Sequence, residues 1–170
     1  MQEKLHKLML AMIAYNSGDA KRIQHFIKVH ALAKLIGEEE KLDAKTLYIL
    51  EAAALTHDIG IRNSEKKYGT CTGKQQEVEG PPEAEKLLQS LGFGADVTER
   101  VCWLIAHHHT YNNIEGNDYQ ILVEADFLVN LYEDNVSLEA VKTAFFPHFI
   151  VGRFFSFRSA FLSLGSGDNC

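Results

Sequence analysis

The chain has little cysteine, little proline, a shortage of basic charge and no long apolar run, and each shortage closes off a class of protein. Its 3 cysteines, Cys71, Cys102 and Cys170, lie far apart in 170 residues. No CxxC pair is present, so neither a zinc ribbon nor a disulfide framework is expected, and the reducing cytoplasm is the expected compartment. Of the 3 prolines, two are the neighbours Pro81 and Pro82, which leaves long stretches free to be helical. No apolar run approaches the roughly 20 residues that span a bilayer, so no membrane association is expected. The opening Met1-Gln2-Glu3-Lys4-Leu5-His6 carries charge where a secretion signal would carry an apolar core. Lys and Arg total 17 against 23 Asp and Glu, a net charge of −6. A general nucleic-acid binder gains its affinity from a basic face, so nucleic acid is not an expected partner. A small anionic substrate remains compatible, because a metal ion and a few local cations reverse the field inside one pocket.

What is present suits one globular domain over residues 1–170: 46% hydrophobic and 24% charged residues. The pattern predicts an all-α fold. Leu5, Leu8, Met9, Met12 and Ile13 form a helical stripe in residues 1–15. Asp19 suits the N-cap of a second helix reaching about Ile36, with Gly37 at its end. Asp43 caps a third, from about Ala44 to Ile59, whose stretch Ile49 to Leu55 is almost entirely small or apolar, the mark of a central helix. Residues 61–79 read as a long polar loop, with lid or specificity functions in view. Helices are expected again at about 81–91, with Pro81 and Pro82 in its first turn, and at 96–109, 117–134, 138–146 and 151–163. The core is placed at about 19–132, with the helices in 138–163 packing on it and the aromatic run Phe145 to Phe157 completing the core or forming a homodimer contact.

The chemistry concentrates at His57 and Asp58, in Ala54-Leu55-Thr56-His57-Asp58-Ile59-Gly60 at the end of the most apolar helix. Imidazole and carboxylate both suit Mn, Fe, Co, Ni or Zn, and an ion offsets the cost of a carboxylate beside an apolar helix. His25 lies among core positions of the second helix, whereas His30 points away from it and is expected at the surface. Asp126 interrupts the apolar run Ile121 to Leu131. It and Glu124 face different ways, one solvated and one buried, and Asn130 follows Asp126 by one turn. His107-His108-His109 cannot all be core.

A His, then a His-Asp pair followed by Ile-Gly, then a late Asp on an apolar helix resembles the HD-domain metal-dependent phosphohydrolases over about residues 19–132. The resemblance implies an all-α bundle and one divalent metal (Mn, Fe, Co, Ni, Zn or Mg) held by His25, His57, Asp58 and Asp126. Two-metal members carry a further histidine before the triple-histidine region. Here Gln75 to Gly80 holds none, leaving Glu77 and Glu79 as the oxygen donors there. The implied activity is hydrolysis of a nucleotide or other small phosphate ester. In it Asp58 binds metal and orients the water, and His108 stands near the phosphate. Arg22, Arg62, Lys66, His107 and His109 are candidate phosphate contacts. Two alternatives carry different chemistry: a non-catalytic metal or nucleotide sensor on the same scaffold, and a di-iron oxygenase, which needs two metals.

Overall fold

The computed structural model describes residues 1–134, which form seven helices and, among the described residues, no strand. They are α1 (Gln2–Tyr15), α2 (Ala20–Glu39), α3 (Ala44–Thr56), α4 (Ile61–Tyr68), α5 (Gly73–Ser90), α6 (Ala95–Ile105) and α7 (Asn117–Glu133). The helices expected within 138–163 and the aromatic run Phe145 to Phe157 lie outside the described residues. No described helix is long and apolar enough to cross a membrane.

The predicted caps form at two starts. Asp19 accepts from the Arg22 amide at 3.0 Å, and Asp43 accepts from Lys45 and Thr46 at 3.0 and 3.1 Å. The central position of α3 follows from its composition: every residue from Tyr48 to Thr56 is buried, and α3 packs against α1, α2, α6 and α7. Around it Leu8, Met12, Phe26, Val29, Leu104, Ile105, Leu122 and Val129 complete one continuous core.

The segment 61–79 is not a loop. Residues 61–68 form α4, and α5 begins at Gly73 rather than 81. Polarity made this stretch look irregular, but α4 is a surface helix, ended by Gly69 at φ 72°. Thr72 then opens α5 through a reciprocal capping box with Gln75. Pro81 and Pro82 therefore sit in the middle of α5, not its first turn. Their missing amides leave the Glu77 and Val78 carbonyls without a helical donor; separately, the Cys102 thiol donates to the Pro81 carbonyl at 3.4 Å. Gly60 and Gly80 explain the tight entry into this region. A β-carbon on Gly60 would lie 2.6 Å from the Gly80 amide nitrogen and 2.7 Å from the Gln76 carbonyl oxygen.

Three smaller boundaries also differ. Helix α2 continues through Gly37 to Glu39, and Lys41 takes the left-handed turn at φ 56°. Gly37 instead lets α3 approach, since a β-carbon there would meet Leu47 at 2.8 Å. Helix α3 stops at Thr56, so His57 and Asp58 lie in the turn that follows, where Ile59 and Ile61 amides bond back to Thr56 and Asp58. Helix α6 stops at Ile105, leaving the three histidines in the next turn.

Candidate metal centre

Four elements bring the candidate ligands together. His25 comes from the interior of α2, His57 and Asp58 from the turn after α3, His108 from the turn after α6, and Asp126 from α7. The Nε2 atoms of His25 and His57 are 3.2 Å apart. Asp126 Oδ1 lies 3.1 Å from His25 Nε2 and 3.4 Å from His57 Nε2, while Asp58 Oδ2 lies 3.4 and 3.5 Å from the same atoms. Asp58 turns its other oxygen toward His108, whose Nε2 is 3.7 Å away. Asp58 is the most exposed of the group, its side chain 23% accessible, whereas the His57 and His108 side chains are fully covered. The cluster thus opens to solvent at Asp58.

The tautomers follow from the acceptors. His57 Nδ1 lies 2.9 Å from the Ala54 carbonyl oxygen, and His108 Nδ1 lies 2.7 Å from that of Ile105. A carbonyl only accepts, so both Nδ1 atoms carry a proton, and Nε2 is the atom that each ring turns inward. His108 Nε2 is buried with no hydrogen-bond partner. A buried ring nitrogen without a partner, with the Asp58 carboxylate 3.7 Å away, suits a cation. The spacing suits one: donors about 2.0–2.2 Å from a single ion stand about 3.0–3.5 Å from each other. Nitrogen and carboxylate donors in this mixture fit Mn, Fe, Co, Ni or Zn. The residues present therefore fit a divalent metal.

Without a metal, protons take the same place. Burial works against charge on His57, but the Asp58 and Asp126 carboxylates outweigh it and push its pKa up to about 9. The same contest raises His25, burial opposing and Asp126 prevailing. Burial would push Asp58 and Asp126 up, yet the neighbouring imidazoles hold both carboxyls below the usual range. A metal must displace these protons, so its uptake is coupled to proton release.

The surroundings hold the donors in place. Asn130 donates to Asp126 Oδ1 at 2.9 Å. His25 Nδ1 is 3.1 Å from Glu133 Oε2, and Glu133 Oε1 pairs with Lys28 at 2.6 Å. The turn bearing the histidines is fixed from outside. Arg100 grips Asp118 at 2.9 and 2.8 Å and lies over Trp103, which stacks on the His107 ring at 4.2 Å. Tyr119 donates to the His107 carbonyl at 2.7 Å.

His107 belongs to that stack, with Nδ1 on the Trp103 carbonyl. His109 lies beside His108, ring centroids 4.0 Å apart, and its Nε2 is 3.3 Å from Gln76 Oε1. Burial first, and then the neighbouring His108, push its pKa down to about 4. Asp58, His108 and His109 form a second group of donors sharing Asp58. Glu77 is buried but accepts from Thr110 at 2.8 Å, and Glu79 is tied to Lys67 and Tyr68, each at 2.7 Å. Arg22 pairs with Asp19 and Glu65, Arg62 donates to the Tyr15 carbonyl at 2.8 Å, and Lys66 is exposed on α4.

Two sequence expectations change. Glu124 and Asp126 are both buried, rather than one in solvent. His30 is half-buried, its Nε2 3.0 Å from the buried Glu51 carboxylate, rather than at the surface. Sequence reasoning missed Glu133 and Gln76. The first had a legible signal, since Asp126, Asn130 and Glu133 follow the spacing of one helix face. The second had none, because only the fold brings Gln76 to His109.

The model of the HD domain family matches residues 22–145. A predicted HD superfamily hydrolase from an uncultured Thermotogales bacterium has a similar solved structure. Its TM-score is 0.60 at 23% identity, over 95% of this chain and 92% of that one. No curated protein matches the chain. The HD domain implies divalent-metal binding, with which the histidine-aspartate cluster is compatible. The chain belongs to the HD domain family.

Proposed function

We propose that the chain is a phosphohydrolase that cleaves a nucleotide or another small phosphate ester at one divalent metal held by His25, His57, Asp58 and Asp126. The observation that carries this is the convergence of the Asp58 and Asp126 carboxylates on the His25 and His57 Nε2 atoms at 3.1–3.5 Å, with His57 Nδ1 committed to the Ala54 carbonyl so that Nε2 is the atom left for an ion. A bound divalent metal supplies Lewis-acid polarisation of a phosphoryl oxygen and lowers the pKa of a water. The rest of the work falls to positioning and charge. Asp58 stands at the opening and divides its two oxygens between the donor cluster and His108, which suits it to orient a water. His108 has Nδ1 committed to Ile105, so proton exchange with substrate is confined to Nε2. Arg22 and Arg62 are engaged elsewhere. His107 is likewise held in the Trp103 stack, so Lys66 and His109 remain as the phosphate contacts in this scheme, together with the positive charge of the loaded centre.

The second group of donors, Asp58, His108 and His109, supports a weaker second-metal position. The Gln76 amide against His109 takes up one of its ring nitrogens, which favours the single-metal scheme over an oxygenase with two irons. The substrate partner is a small phosphorylated molecule in the cytoplasm. The test is purified protein with Mn²⁺, Co²⁺, Ni²⁺ or Mg²⁺ against an aryl phosphate and a panel of nucleotides. Phosphate release that disappears in His57→Ala and Asp58→Ala is the expected result. Nucleotide binding with no turnover under any metal would replace the hydrolase with the sensor.

A further inference from the structure

Of the three imidazoles that point into the cluster, two find their Nδ1 acceptor on their own chain, three residues back: Ala54 for His57 and Ile105 for His108. They manage this because they follow helix C-termini, where the last carbonyls have no helical donor. His25 lies in the interior of α2, where each backbone carbonyl is already engaged by the amide four residues on. Its acceptor must come from another element. That acceptor is Glu133, in the last turn of α7, with Oε2 3.1 Å from His25 Nδ1. The other carboxylate oxygen is held by Lys28, one turn beyond His25 on α2, at 2.6 Å.

We propose that Glu133 is the positioning residue of the metal centre: it fixes the His25 tautomer and ring orientation so that Nε2 faces the ion, and Lys28 anchors it for that task. The inference rests on the metal site proposed above and assigns Glu133 no contact with substrate. Helix α7 thereby acts on the site twice. Asp126 faces the inward atom of His25, and Glu133, two turns later, holds the outward one. A carboxylate on the far nitrogen of a ligating imidazole also raises its basicity toward metal, and loss of such partners commonly costs about 10–100-fold in metal affinity.

The experiment measures Co²⁺ and Zn²⁺ affinity of the full chain by chelator competition in wild type, Glu133→Ala, Glu133→Gln, Lys28→Met and His57→Ala. Nitrogen NMR of the His25 ring runs alongside. Expected are a loss of about 10–100-fold in Glu133→Ala, recovery of most of it in Glu133→Gln, whose amide oxygen still accepts from Nδ1, and a smaller loss in Lys28→Met. The wild-type His25 ring should show a protonated Nδ1 in the Zn²⁺ form. Wild-type affinity in Glu133→Ala, with metal binding abolished in His57→Ala, would overturn the role of Glu133 and leave the metal site standing. Equal losses in the Ala and Gln variants would overturn the hydrogen-bond mechanism. Absence of metal binding in the wild type would remove the site itself. Should Glu133→Ala fail to fold, the Gln variant and the wild-type ring signals decide, an Nε2-protonated His25 counting against the proposal.

Discussion

Removing the metal should lower the melting temperature by an amount that can be set in advance. The proposed donors are 32 residues apart from His25 to His57 and 101 from His25 to Asp126. They come from α2, the turn after α3, and α7. An unfolded chain cannot present them together, so the ion binds the folded state almost exclusively. Mass action then gives about 2.7 kcal/mol of stabilisation at free metal of about 100 times Kd. For a domain of this size each kcal/mol moves Tm by about 2–4 °C, so the shift should be about 5–11 °C. The assay is differential scanning fluorimetry of chelator-treated protein with and without Mn²⁺ or Co²⁺ at that multiple of the measured Kd. The same series in His57→Ala and Asp126→Asn should be nearly flat. A wild-type shift of zero, or an equal shift in His57→Ala, would refute the assignment, the second outcome placing the bound metal elsewhere.

Gly60→Ala should cost about 1–3 kcal/mol in urea denaturation, because its β-carbon would lie 2.6 Å from the backbone nitrogen of Gly80; an unchanged midpoint would mean α4 and α5 can separate freely. Glu51 gives a pH dependence away from the centre. Burial pushes its carboxyl up, but the His30 hydrogen bond and the Lys34 charge prevail and hold it below 4.5. Its contribution is therefore complete above pH 4.5 and lost as pH falls through the lowered native value. The stability difference between wild type and Glu51→Gln should shrink with acidification over that range, and a difference that grows would reverse the sign. Thiol labelling in a Cys170→Ser background should modify exposed Cys71 first. The Cys102 thiol, pushed up to about 11 by burial and by Glu85, should react far more slowly at pH 8; equal rates would show that α5 and α6 open readily at Pro81.

The parts of this fold legible in the sequence are those set by local chemistry. Asp19 and Asp43 cap where their side chains can only usefully accept amides, and the apolar stretch of α3 announces a helix covered on all sides. The 61–79 segment reads as a loop in the sequence because it is polar, and polarity is evidence about exposure, not about helicity. Lys66, Lys67 and Glu65 are good helix formers, and the true breaks are Gly69 and the Thr72 capping box. Pro81 and Pro82 suggest a helix start but lie inside α5. A helix tolerates them where neighbouring packing compensates, and here the Gly60–Gly80 contact and the Cys102 thiol surround the interruption.

The same division runs through the candidate site. His25, His57, Asp58 and Asp126 could be singled out because a histidine or a carboxylate among core residues is costly unless something uses it. The groups that orient them are a different matter. Two are backbone carbonyls, Ala54 and Ile105, which carry no sequence signature at all. Glu133 shares a helix face with Asp126 and Asn130, but only the fold, by laying it against α2, shows which ring it serves. The ring that most needs an external acceptor is the one inside a helix, where the backbone has no carbonyl to spare. A metal-binding histidine in a helix interior therefore calls for a side-chain acceptor from a packed neighbour. In this chain the neighbour is α7, which already supplies Asp126.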